Sequence, residues 1–168
     1  MDILNNFAQE NGIDVKLLQA ILQVEAGGNG FGLDAVLKIR FEVHLLLDDY
    51  PGLNRWFKTE APVYLNHYYK FPSYSTLWRK VHSGNQWDEF SALLVAAHSI
   101  GHDAWKYASF GSGQILAKFH YEKLGFDSAI AMYSYMAQSS DKDTEVWLRL
   151  IKTSPGYLIP LQRNDLRT

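Results

Sequence analysis

A carboxylate stands at the end of an apolar helical stretch, in Leu17–Phe31, where a proton donor would be useful. Leu18, Ile21 and Leu22 fall at i, i+3 and i+4, and the next position on the same stripe is Glu25. Partial burial and the negative end of a helix dipole both favour the protonated form of a carboxyl, which is what a general acid needs. The alternative is that Glu25 sits at the margin of the stripe and reaches water past Gly27 and Gly28. Periodicity alone leaves both readings open.

Other groupings are weaker. His98 and His102 are spaced i, i+4, but position 99 is Ser where a zinc-protease helix carries Glu, and Gly101 separates the pair. Ser109, His102 and Asp103 contain the residue types of a hydrolase triad without the glycines of a nucleophile elbow. The glycines at 27, 28, 30 and 32 follow a helix, whereas a phosphate loop follows a strand and opens one. We therefore expect neither a metal nor a cofactor. What survives is Glu25 and, far along the chain, a glycine-rich turn carrying Gln114. Glycoside cleavage needs one proton donor, with a second carboxylate, a bound water or substrate assistance opposite it.

The elements that position these groups read as mainly helical. Asp14 is an N-cap and Gly27–Gly28 a stop for the Glu25 helix, after a short helix over 2–11 capped by Asp2. Residues 37–45 alternate with period two and predict a strand that turns helical around His44–Tyr50, before Pro51. Residues 53–74, with aromatics from Trp56 to Tyr74, read as a loop-rich cleft wall or a packing layer, and 75–82 as a short helix. Trp87–Ile100 is a strong helix with a Phe90, Leu93, Leu94, Ala97 stripe. Further helices are predicted over 121–124, 128–138 and 144–152, capped by Ser128 and Asp143, with a last one opened by Ser154–Pro155 and interrupted by Pro160. The whole is one α-rich domain over residues 1–168 with a small β element.

Bulk properties agree with a folded domain. Aromatic residues reach 14%; aromatics in excess of core needs often line sugar or base clefts, while a compact helical core can absorb many of them. A net charge of −2 argues against a general nucleic-acid binder. The absence of cysteine excludes thiol catalysis and disulfide scaffolds. The N-terminus has no signal-peptide pattern and no stretch is apolar enough to span a membrane.

Four segments together resemble the phage-endolysin N-acetylmuramidase family, a lysozyme-like group. Val24-Glu25-Ala26-Gly27-Gly28-Asn29-Gly30-Phe31 resembles its Val-Glu-Ser-x-Gly-x-Gly-Phe motif, and Arg40-Phe41-Glu42-Val43-His44 its Leu-Phe-Glu-Arg-His block. Ala108-Ser109-Phe110-Gly111-Ser112-Gly113-Gln114-Ile115 is similar to Ala-Ser-Trp-Gly-x-x-Gln-Ile. Phe119-His120-Tyr121 and Gly125-Phe126 follow in order. The resemblance implies a lysozyme-like α-helical domain that cuts peptidoglycan glycan strands beside N-acetylmuramic acid. By position Glu25 would be the proton donor and Glu42 a second carboxylate, unless Glu42 is a structural ion-pair partner of Arg40 or Lys38. Gln114, Ser109, His44 and Phe31 would bind substrate.

Three departures accompany the resemblance. Val43 replaces an Arg, Ser112–Gly113 replaces two bulkier residues, and the family's later Trp and Tyr-Asn-Gly-Pro segment does not follow Leu161–Asp165. Tyr157 or an aromatic of 64–74 would then stand opposite the acid. The competing expectation is a lysozyme-fold assembly component of a phage particle, bound to partner chains and weak or inactive in catalysis. The enzyme would wait in the host cytoplasm until released to the wall, or travel with the virion. No nucleic-acid partner and no membrane insertion are expected.

Overall fold

The computed structural model describes residues 3–32, 34–72 and 76–163. Its first half is organised by local capping chemistry. The helix α1 (Ile3–Asn11) ends at Gly12, whose φ is 66°; Asp2, its expected cap, lies outside the described residues. The Asp14 carboxylate accepts the Lys16 N–H at 2.9 Å and starts α2 (Val15–Ala26). At the other end the N–H groups of Gly27 and Gly28 return to the Gln23 and Leu22 carbonyls, both at 3.0 Å, closing the helix in a left-handed turn.

The alternating run at 37–45 forms a shorter strand than predicted. Only β1 (Ile39–Phe41) is extended, with Leu37 in a lone bridge to Phe31. Val43 already opens α3 (Val43–Asp49), because Val43 and Leu46, at i and i+3, both find buried positions on the helix. A 3-10 turn over Pro51–Arg55 follows.

Residues 53–74, read as a loop-rich cleft wall or a packing layer, pack on the core as strands instead of loops. They hold β2 (Phe57–Glu60) and β3 (Asn66–Tyr69), which pair antiparallel in register Phe57↔Tyr69 to Glu60↔Asn66. The helix expected over 75–82 is absent: β4 (Arg79–Lys80) adds to β3 there. Residues 73–75, including Tyr74 and Ser75, lie outside the described residues. Phe57, His67 and Tyr69 point into the core, while the other face carries Lys58 and Lys70 over the Tyr68, Trp56 and Trp78 rings.

The long helix α4 (Gln86–Ile100) runs through the centre, capped by the Asn85 side chain on the Trp87 N–H at 3.0 Å. Its buried face is Glu89, Ala92, Leu93, Val95 and Ala96; Leu94, placed on the stripe by the sequence reading, is exposed. Two of its polar side chains satisfy β1. Gln86 Oε1 accepts the Ile39 N–H and Glu89 Oε2 the Phe41 N–H, both at 2.8 Å. An edge strand whose donors meet side chains of a covering helix cannot recruit another chain.

After a 3-10 segment over Gly101–Tyr107, β5 (Ala108–Phe110) and β6 (Ile115–Leu116) complete a second sheet in the order β1-β5-β6. Helix α5 covers Ala117–His120, somewhat before the expected 121–124. Then come α6 (Ala129–Met136), capped by Ser128, and α7 (Ser140–Thr153). The cap of α7 is Ser139, accepting from Lys142 N–H at 3.2 Å, and not Asp143, which is buried inside the first turn. Helix α8 (Pro155–Gln162) tolerates Pro160, and its Tyr157 is exposed. The domain is mainly α with two small sheets. Among the described residues no helix is long and apolar enough to cross a membrane.

Candidate functional site

Glu25 does not lie on a buried stripe. Leu18 and Leu22 are buried, but the last turn of α2 runs past the surface it packs on, and Gln23, Val24 and Glu25 all face solvent. Even Val24 is 83% exposed. Of the two readings that periodicity left open, the one observed has Glu25 at the margin of the stripe, in solvent beside Gly27 and Gly28. An exposed carboxylate flanked by an exposed valine is a surface a polymer could cover, and not a pre-buried acid.

The chain leaving this turn is tied to β1. Lys38 N donates to the Gly30 carbonyl at 2.7 Å and Lys38 Nζ to the Asn29 carbonyl at 2.7 Å, while Asn29 Oδ1 accepts the Phe31 N–H at 3.0 Å. Phe31 is half-buried beside Leu37. The hairpin β5-β6 pairs with β1, and Gly111 N donates to the Lys38 carbonyl at 3.0 Å.

Glu42 follows β1 directly, with its N–H on the Tyr107 carbonyl at 2.7 Å. Its Oε1 accepts Arg40 Nε at 2.9 Å, so Arg40, of the two cations weighed, is the ion-pair partner observed. Arg40 Nη2 also donates to the Tyr64 carbonyl at 2.9 Å and anchors the turn between β2 and β3. Glu42 Oε2 lies 3.6 Å from His44 Nδ1. His44 meets the edge of Tyr64 and, at 3.3 Å, Nε2 of the fully buried His67. His67 stacks in turn on His82, whose Nδ1 bonds Glu89 Oε1 at 2.8 Å. Burial first, then the neighbouring His82 and His44, lower the His67 pKa to about 4.

Ser109 is buried opposite Arg40 in the β1–β5 register. Gln114 adopts a left-handed backbone, φ 44°, unusual for a residue with a side chain, and its Nε2 folds back on the Gly111 carbonyl at 2.8 Å. The structure thus joins Phe31, Glu42, His44, Ser109 and Gln114 through one sheet and its flanking turns, with Glu25 on the helix end that feeds them. His98 and His102 are exposed and take part in no metal-type grouping among the described residues, and Asp103 pairs with Lys106 at 2.8 Å. An open groove of about 950 Å³ between Asp49, Tyr107, Lys118 and Glu122 contains none of the sequence-predicted site residues.

Two contributors escaped the sequence reading. Asp143, read only as a cap, bonds the Gln114 hairpin and packs against the turn after α2, and the row His67–His82–Glu89 continues from His44 beneath β1. Neither shows a motif, since the partners come from four separate segments. The one available signal was Glu89 on the otherwise apolar face of α4.

A family model described as N-acetylmuramidase matches residues 14–168. The crystal structure of a Burkholderia AP3 phage endolysin superposes with a TM-score of 0.68 at 23% identity, covering 96% of this chain and 56% of that one. The chain therefore spans little more than half the length of that endolysin. No curated protein matches by sequence.

Proposed function

Since the chain belongs to the N-acetylmuramidase family, we propose that it cleaves the glycan strand of peptidoglycan with Glu25 as general acid. The observation that carries the reading is the exposed end of α2, where Glu25 stands beside a solvent-facing Val24 and a double-glycine turn. The free protein does not desolvate this carboxyl, so the glycan lying over Val24 supplies the dry surroundings in which a proton is delivered. Glu25 protonates the glycosidic oxygen beside N-acetylmuramic acid, the leaving sugar departs with that proton, and positive charge develops on the ring left behind. Glu42, ion-paired with Arg40, acts as the second carboxylate that faces this charge. A water adds to the anomeric carbon, or the muramic C6 hydroxyl closes on it, and in either case the oxygen that attacks gives its proton to the Glu25 carboxylate, which restores the acid. Gln114, Ser109, His44 and Phe31 line the path of the strand. The endolysin likeness supports a role in phage-related lysis of the cell wall.

The test is digestion of purified sacculi followed by mass analysis of the soluble muropeptides. Glu25→Gln is expected to reduce release about 10²–10⁴-fold, the usual worth of a positioned acid. Equal clearance by wild type and Glu25→Gln would overturn the assignment. Hydrolysis gives reducing muramic ends and cyclisation gives anhydro ends, one water lighter. A folded wild-type chain that releases nothing would favour an assembly role.

A further inference from the structure

We propose that Glu42, His44 and His67 form a binding site for a divalent transition-metal ion, zinc being the ion that fits. They are the one group of three metal-ligating side chains among the described residues whose donor atoms all lie within 4.8 Å of one another. The separations are informative. Ligands held about 2.0–2.1 Å from a tetrahedral ion stand about 3.3–3.4 Å apart. His44 Nδ1 to His67 Nε2 is 3.3 Å and His44 Nδ1 to Glu42 Oε2 is 3.6 Å. Two imidazole nitrogens and one carboxylate oxygen suit zinc, and three protein ligands leave a fourth position for water.

The surroundings hold the ligands in place. Arg40 occupies Glu42 Oε1 and leaves Oε2 toward the histidines. Tyr64 packs edge-on against His44, and His67 is clamped between His44 and His82. His67 is wholly buried and its Nδ1 has no hydrogen-bond partner, although the Phe41 and Val63 backbone faces the ring. The simpler account, one His44-to-His67 hydrogen bond, satisfies a single pair of nitrogens and leaves Glu42 Oε2 at 3.6 Å, too long for a hydrogen bond.

Glu42 precedes α3, His44 lies on it and His67 lies in β3, so an ion here fastens the β2-β3-β4 sheet to the helix. Such a staple binds the native state and not the unfolded chain, and raises the melting temperature with zinc concentration. The site shares Glu42 and His44 with the proposed glycan site, and metal binding is read directly instead of through turnover.

The experiment uses tag-free, chelator-stripped protein. Zinc titration followed by calorimetry, with elemental analysis after desalting, is expected to show one ion per chain and a rise in melting temperature. Cobalt is expected to give the visible absorption of a four-coordinate ion with nitrogen and oxygen ligands. His44→Gln and His67→Gln should each abolish the stoichiometric binding and the thermal shift, while the control His98→Ala/His102→Ala keeps both. Because His67 is buried, His44→Gln carries the decision if His67→Gln does not fold. Absence of binding in wild type, or binding that survives in His44→Gln and vanishes in the His98/His102 variant, overturns the proposal.

Discussion

The Asp143 carboxylate accepts the Ser112 backbone N–H with both oxygens, at 3.2 and 3.0 Å, in the interior of the domain. It lies between Gly30, in the turn after α2, and Gly111, in the hairpin that carries Gln114. One buried side chain of α7 thus holds together the two segments of the candidate site most distant in sequence.

Burial raises the Asp143 pKa above 3.8, and the Ser112 contacts only partly offset this. The folded chain therefore holds this proton more tightly than the unfolded chain. Between pH 3.8 and the raised native value, stability from this group falls as pH rises. Asp49 has the opposite sign. Lys118 and then Tyr107 lower its pKa, so its contribution is present above 3.8 and lost as pH falls. Asp143→Asn keeps an acceptor for Ser112 and removes the titration. Urea unfolding from pH 3.5 to 7, about the range of ordinary carboxylate titration, should show the variant gaining on wild type as pH rises. A difference that is flat or of opposite sign would refute this account.

The glycines around Asp143 give a second prediction. A Cβ on Gly111 would strike the Asp143 carboxylate and the Met136 methyl, and its φ of 70° is strained for any other residue. Gly111→Ala should cost about 3 kcal/mol or more. Gly156, in α8 with open space around it, is the control: Ala there should stabilise by about 0.5–1 kcal/mol. Chemical denaturation of the two variants tests this pair of signs.

What could be read from the sequence was what local chemistry decides. Asp14 and Gly27 bound α2 through contacts within a few residues, and the order of the helices followed from such signals. Asp143 looked like a cap because a helix does begin there, but its partner is 31 positions away, and no short-range rule reaches that far. The β2-β3-β4 sheet was missed because its strands carry Lys, Asn and His and are joined by a turn without an Asn-Gly signal. For the site, the motifs named segments that the fold brings together around β1. The exposure of Glu25 and the histidine row behind Glu42 depend on where neighbouring elements stop, which periodicity does not record.

Gln114 tests whether backbone strain serves the site. Its φ of 44° costs about 1–3 kcal/mol in a non-glycine residue unless something holds it, and its side chain is held on Gly111. Gln114→Gly should leave stability equal or higher and still lower muropeptide release by about 10²-fold, the lower end of the worth of one positioned polar group. Unchanged release with raised stability would mean that Gln114 only shapes its own turn.

The last prediction separates the two readings of Glu42. A purely structural Glu42 would matter only through Arg40, and then Glu42→Gln and Arg40→Gln should impair turnover equally, since each breaks the same 2.9 Å pair. A Glu42 that faces charge developing on the sugar has a role Arg40 lacks. In that case Glu42→Gln should lower turnover by about 10²-fold or more, while Arg40→Gln costs less than about tenfold. The double variant should match Glu42→Gln alone, because Arg40 then acts only by positioning that carboxylate. Thermal melts of all three keep the comparison honest: Arg40 also holds the Tyr64 carbonyl at 2.9 Å, so its loss should loosen the turn between β2 and β3 and lower the melting temperature more than it lowers turnover.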